Sequence, residues 1–300
     1  MFAGAKLRIM KNLSKLRFLA VATLLHAPLD AQKKEQPAEF LTLWAGMLPI
    51  ILAAPHGGRQ AIPGSAVRRG TGIPQFTTER DNNTAELAEL VAAKISARLA
   101  AKPFLVVARF ERKYIDANRS EAAAYESAAV KPHYDTYHQA IEAASHKIRQ
   151  SWNAGLLLDI HGQGAEADTI FRGTGNGKSV SAMEQRFGRE AIIGSKSILG
   201  QLASKGYKIE PGGAPYDRER RYTGGYTTRT YGSHRGSRID VIQLEFGSNL
   251  RSRNNLERTA EDLAEAIEIF AKTYLPLAKS RARESAVAQP SEEGNFPAWG

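Results

Sequence analysis

The sequence predicts a single α/β domain. Three observations lead there: strand-like and helix-like segments alternate from about residue 40, no internal repeat or long linker interrupts them, and 42% of the residues are hydrophobic, ordinary for a globular chain of 300 residues with a sizeable core. Taken in order, "LTLWAGMLPIILAAPH" reads as two strands around a short turn, ending at His56. Leu87, Leu90, Val91, Ile95 and Leu99 recur at helical spacing, which predicts an amphipathic helix over 82–100. "PFLVVARF" is the next strand, 134–151 the next helix, "GLLLDI" a central strand and 239–246 a further strand, "IDVIQLEF". Leu263, Ile267, Phe270 and Tyr274 mark the buried face of a closing helix. Between 162 and 238 the chain is rich in Gly, Arg and Tyr, with at most one helix near 183–205, and reads as loops over a site.

The two ends differ from this body. Residues 1–31 place Lys6, Arg8, Lys11, Lys15 and Arg17 before the apolar run "FLAVATLL", then small and polar residues, the order of a secretory signal. That run is too short to span a membrane well, so the expectation is an exported, periplasmic or secreted protein without stable membrane insertion, or a cytoplasmic one if the segment is not a signal. Residues 279–300 lack periodic apolar residues and read as a flexible tail, leaving 40–278 as the working domain.

The formal charge of +10 includes five positives and one negative, Asp30, within residues 1–31, so removing that net +4 leaves +6. No dense basic run with interleaved aromatics follows, which argues against a nucleic-acid partner and for a small anionic one. With no cysteine there is no disulfide, thiol nucleophile or thiolate metal site, so a metal must be held by His, Asp or Glu. No "GxSxG" elbow occurs either, which disfavours a serine hydrolase.

Three buried-looking strands end in groups competent for metal binding or proton transfer: "IILAAPHGG" in His56, "GLLLDIHGQG" in His161 and "VIQLEFG" in Glu245. Strand ends in an open α/β sheet converge on one crevice, so these three can meet. Each also has a structural alternative: a turn residue for His56, a strand cap for His161, a solvated edge for Glu245. Asp81, just before the helix of 82–100, can cap that helix or complete a set of two histidines and one carboxylate, the usual catalytic zinc set. Asp159 shares a strand face with His161 and is the natural partner for its ring, while Gly162 and Gly164 give room beside an ion and substrate. In "ARFERKYIDANR", Arg109, Arg112 and Arg119 offer planar guanidinium groups for a carboxylate or an oxyanion, and Asp116 and Asn118 can fix the loop; the alternative is a solvated basic loop.

The order "APHGG", "ERDNNTAELA", "RKYIDANR", "KPHYDTYHQAI", "LLLDIHGQG" and "VIQLEFG" resembles the N-formylglutamate amidohydrolase family, a relative of the zinc carboxypeptidases and the aspartoacylase group, over about residues 48–275. The resemblance implies a three-layer α/β/α sandwich with a mixed sheet, of the zinc-carboxypeptidase (phosphorylase/hydrolase-like) kind, holding one zinc ion. It assigns His56, Asp81 and His161 to the metal, with Glu79 as the alternative acid, and Glu245 to general base catalysis. Asn118 and Arg119 match an element that holds substrate and polarises the carbonyl, and Arg112 or the arginines of the 218–238 loops pair with the substrate's carboxylates, with His234 near the same loops. The implied activity is hydrolysis of the amide of an N-acyl amino acid. The rival substrates are a cell-wall peptide or poly-γ-glutamate, and the rival class is a binding protein for an anionic ligand without turnover. One departure stands out: the family commonly has Ser where this chain has Gly57.

Overall fold

Strand ends decide where a site forms in an α/β sheet. The structure, a computed structural model, describes residues 37–212 and 218–279; the expected signal and nearly all of the expected tail lie outside them. Seven strands, β1 (Leu41–Trp44), β2 (Ile50–Ala54), β3 (Phe104–Ala108), β4 (Gly155–Gln163), β5 (Thr169–Gly173), β6 (Lys208–Glu210) and β7 (Ile239–Gly247), form one mixed sheet in the order β1-β3-β2-β4-β7-β5-β6. The helices are α1 (Thr84–Leu99), α2 (Glu121–Ala124), α3 (Lys131–Trp152), α4 (Ser181–Phe187), α5 (Glu190–Ile193), α6 (Ile198–Ser204), α7 (Tyr226–Tyr231) and α8 (Leu256–Tyr274).

Alternation along the strands sorts the core into two halves. Ile50, Leu52, Leu156, Leu158 and Ile160 face Leu87, Val91 and Ile95 of α1 and Leu263, Ile267 and Phe270 of α8. Ile51, Ala53, Leu157 and Val241 face Tyr134, Tyr137, Ile141 and Ile148 of α3. The result is the expected three layers. Complete burial of each such aliphatic side chain contributes roughly 1.5–3 kcal/mol, so α1 and α3 are held by packing rather than by their own helix propensity.

The structure adds one feature to the sequence reading, in which β1 and β2 are the two expected strands, and differs from it in another. First, β1 and β2 do not pair with each other: β1 runs antiparallel to β3 at the sheet edge, and β2 lies between β3 and β4, parallel to both. Every residue of β2 is buried whereas β1 is half open, and an apolar strand buried on both faces belongs in the interior of a sheet. Second, the stretch 162–238 contains β5, which extends the sheet antiparallel to β7, and β6 beside it. "TIFRG" has too few apolar residues to show strand alternation. The single helix expected near 183–205 is three short ones, α4 ending at Gly188, whose φ of 70° suits glycine. No described helix is long and apolar enough to cross a membrane.

The chain leaves β2 through α1 toward β3 on one side, whereas the chain leaving the neighbouring β4 turns to β5 on the other side of the sheet. Such a reversal opens a crevice beyond the carboxyl ends of the two strands. His56 follows β2 there, and His161 lies near the end of β4.

Candidate metal centre and substrate cavity

β4 and β7 pair in parallel along their full length, with Asp159 opposite Gln243 and His161 opposite Glu245. By alternation these four side chains share a face with Leu157 and Val241, so this face of the sheet changes from apolar to polar toward the carboxyl ends. The opposite face stays apolar through Leu244 and Phe246. Glu245 is therefore not a solvated edge residue, being 7% exposed.

His56 and His161 meet edge to face, ring centroids 4.8 Å apart, with Asp81 beside both. Asp81 Oδ2 is 3.4 Å from His56 Nδ1 and 3.4 Å from His161 Nδ1. One donor atom from each of the three lies within 4.8 Å of the others, and all three residues are buried. Asp81 does not cap α1 through its side chain: its Oδ2 accepts from Gly162 N at 3.0 Å and its Oδ1 faces Arg112 Nη1 at 3.4 Å. Glu79, the alternative acid, is exposed at the rim and is not among the three.

The far side of each ring is tied to an acid. His56 Nε2 donates to Asp116 Oδ1 at 2.7 Å, and His161 Nε2 donates to Asp159 Oδ2 at 2.9 Å. An ionised carboxylate only accepts, so both rings carry their hydrogen on Nε2 and turn the Nδ1 lone pair toward Asp81 when neutral. Two lone pairs and a carboxylate oxygen then face one another across 3.4 Å, and His56 Nδ1 is buried without a hydrogen-bond partner. Only a cation or a proton reconciles them. Nitrogen and oxygen ligands about 2.0–2.1 Å from a tetrahedral ion stand about 3.3 Å apart, so the spacing and the donor set both fit a divalent metal such as zinc.

The electrostatics agree. Burial alone raises Asp81, yet the histidine rings hold its carboxyl well below the usual range. For His161 burial lowers the ring, and Asp159, Asp81 and Glu245 outweigh it and hold it well above its ordinary value. Asp116 is likewise held far below the usual carboxylate range against burial, by His56 and the guanidinium groups of Arg112 and Arg68. Glu245 goes the other way: burial pushes it up to about 7, with His161 and Arg112 opposing and Asp81 and Asp159 adding to the rise.

The remaining expected residues fall into two groups. Arg119 lies on the cavity wall, its Nη2 donating to Gln75 O at 2.9 Å. Arg112 is engaged with Asp116 at 3.0 Å as well as Asp81, so it supports His56 more than it offers a free fork to substrate. Asn118 is buried and its amide is occupied: Nδ2 donates to Gln243 Oε1 at 3.2 Å, and Oδ1 accepts from Thr227 N at 2.9 Å and Thr227 Oγ1 at 3.1 Å. It also stands 3.2 Å from His161 Nε2, but that nitrogen already donates to Asp159, so this is packing rather than a hydrogen bond. Arg109 is away from the site, pairing with Glu89 and Thr42, and His234 is exposed outside the cavity.

Three contributors were not singled out from sequence. Gln243 Nε2 donates to Glu245 Oε1 at 2.9 Å and so fixes that carboxylate; its place two residues before Glu245 on one strand face was the available signal. Tyr222 lines the cavity. Arg251, buried, donates to Phe246 O (3.0 Å), Gln163 O (3.0 Å) and Asn82 O (2.5 Å), locking the β7 end, the β4 end and the Asp81 segment together. Its guanidinium carbon would be 2.4 Å from a Cβ on Gly162, so Gly162 makes room for Arg251 rather than for an ion, whereas Gly164 is open and lines the cavity. Gly57 is similarly constrained: a Cβ there would be 2.4 Å from Ala85 N and 2.8 Å from Thr84 Oγ1, so α1 begins where a serine would have to stand.

These groups line a cavity of about 530 Å³ whose walls also carry Arg220, Arg221 and Arg229. No protein-family model matches the sequence, and a search of curated proteins finds no match. Among solved structures, N-formylglutamate amidohydrolase from Ralstonia eutropha JMP134 matches with a TM-score of 0.52 and 18% identity, over 78% of this chain and 98% of that one. The chain shares the fold of an N-formylglutamate amidohydrolase. The gene product Atu2144 from Agrobacterium tumefaciens has the same fold at a TM-score of 0.50 and 14% identity, over 78% of this chain and 95% of that one. At such identities the likeness is one of fold, and the chemistry rests on the residues described above.

Proposed function

We propose that the protein is a zinc-dependent amidohydrolase that cleaves the amide of an anionic N-acyl amino acid, with N-formylglutamate as the reference substrate. The observation that carries this is the pair of histidines, each fixed by a carboxylate at Nε2, whose Nδ1 atoms converge on Asp81 at 3.4 Å with Glu245 on the adjacent strand. His56, Asp81 and His161 would hold the ion. When bound, a divalent ion supplies Lewis acidity, easing deprotonation of water and polarising a carbonyl.

Glu245, with its carboxyl near neutrality, is matched to take a proton from the attacking water and deliver it to the departing amine. The water oxygen bonds to the carbonyl carbon as the C–N bond breaks, so one water is consumed per amide. Gln243 orients Glu245 by holding one of its oxygens, leaving the other for the proton. Arg119, on the cavity wall, would stabilise the negative charge that grows on the carbonyl oxygen, an effect of order 10²–10³ in rate for one good donor. The likeness of fold to an N-formylglutamate amidohydrolase supports the choice of reference substrate.

The test measures bound metal and hydrolysis of N-formylglutamate and other acyl amino acids. Glu245→Gln should retain metal and lose at least about 10²-fold in kcat. Full activity in that variant, or in metal-stripped protein, removes the mechanism.

A further inference from the structure

The cavity continues beyond the metal centre. Arg220, Arg221 and Tyr222 also bound a second hollow of about 320 Å³, and Arg172 and Arg218 of that hollow bound a third of about 260 Å³ that reaches Arg189. Guanidinium groups thus recur along the whole file. Arg218, Arg220, Arg221 and Arg229 are exposed, and among the described residues none has a carboxylate within 4.0 Å.

The stretch that carries them is anchored. Glu219 turns inward with a fully buried side chain and accepts from Arg172 Nε (2.9 Å), Thr174 N (2.8 Å) and Asn176 N (2.8 Å). Gly175 N donates to Thr223 O at 2.6 Å, and Gly225 N to Gln243 Oε1 at 2.8 Å, the glutamine that holds Glu245. With Glu219 fixed inward, its neighbours Arg218 and Arg220 face the hollows. Positions two apart on an extended chain are about 7 Å apart, which is also the repeat of same-side groups along an extended peptide.

A lone acyl amino acid carries one or two carboxylates, too few for guanidinium groups spread over three hollows. We infer that the substrate is an acidic peptide-like chain, with its reacting amide at the His56–Asp81–His161 centre and further carboxylates on Arg220, Arg221 and Arg218. This rests on the amidohydrolase reading above. Glu79 on the wall of the first hollow and Glu210 on that of the second favour a chain in which amide N–H groups alternate with carboxylates over an unbroken polyphosphate.

The experiment compares kcat/KM of the zinc-loaded protein for N-formylglutamate with that for N-formyl and acetyl oligoglutamates of two to six residues, α- and γ-linked, and for matching glutamine oligomers. Binding of fluorescently labelled oligomers is measured in parallel. Each exposed ion pair gives roughly a threefold gain, so two or three further carboxylates should raise kcat/KM or affinity about tenfold, and 0.5 M salt should erase most of it. Arg218→Gln and Arg220→Gln should each reduce the long-to-short ratio, and a glutamine oligomer should show no gain. A gain equal for glutamine oligomers, a ratio unchanged in both variants, or tighter binding of polyphosphate or single-stranded DNA than of oligoglutamate overturns the inference. Length-dependent, arginine-dependent binding without any turnover supports the track while refuting the amidohydrolase reading. Turnover of N-formylglutamate without a length gain does the reverse.

Discussion

Asp116→Asn isolates what the carboxylate behind His56 does. The substitution keeps shape and an oxygen that can still accept from His56 Nε2, now 2.7 Å from Asp116 Oδ1, so the ring keeps its tautomer. What it removes is a buried negative charge flanked by Arg112 at 3.0 Å and by Arg68 and Arg119 at 3.9 Å each. Two effects follow. The imidazole loses a charge-assisted hydrogen bond, worth about 1 kcal/mol more than a neutral one, and becomes a weaker donor to a cation. The guanidinium groups lose a counter-charge near the site, which raises the local potential against a cation by a similar amount. Together these amount to about 1.5–3 kcal/mol, a 10–100-fold loss of metal affinity, the range seen when partners of metal-bound histidines are changed. Competition of wild type and variant against a chromophoric chelator at pH 7.5 measures it, with circular dichroism and thermal melts to show that the variant is folded. A folded Asp116→Asn protein that binds zinc as tightly as wild type refutes the reasoning.

Gly57→Ser tests the packing of α1 on the end of β2. Its Cβ would lie 2.4 Å from Ala85 N, so the helix start must move; a loss of about 1–3 kcal/mol, read as a fall of roughly 2–9 °C in Tm, is expected, with weaker metal binding because Asp81 adjoins that start. His138 gives a pH signature in stability. Burial lowers its ring to about 4 from 6.5, so the folded state takes up its proton later than the unfolded state; stability is present above pH 6.5 and is lost as pH falls toward 4, by up to about 3 kcal/mol. Chemical unfolding at a series of pH values should show a shallower slope over this window for His138→Asn than for wild type.

How much was legible in the sequence follows from the range of the interactions involved. His56, His161 and Glu245 stand at the ends of apolar runs, and Asp159 shares a strand face with His161 at a spacing of two, so local pattern was enough to single them out. Asp81 had two readings from sequence, and only the approach of β4, with Gly162 N at 3.0 Å, turns its side chain away from capping α1 and toward the two histidines. Asp116 read as a loop-fixing residue because its partner His56 is 60 residues away. Arg251 was invisible for the same reason, since its three carbonyl partners come from three separate segments. β5 has only Ile170 and Phe171 as large apolar residues, and its pairing with β7 reflects tertiary context rather than its own alternation.

The nine-residue ladder between β4 and β7 carries one further implication. Because His161 and Glu245 are opposite rungs, their separation is set by backbone hydrogen bonding at about 4.8 Å between strands, and no loop takes part in setting it. The ruler for the chemistry is thus the sheet itself. A slip of one rung would bring Leu244 or Phe246 opposite His161, turn Glu245 to the other face and abolish the site outright, so there is no intermediate, partly misaligned form to pass through. Recharging Arg218, Arg220 or Arg221, which lie on a loop outside the ladder, would therefore leave the spacing of His161 and Glu245 unchanged.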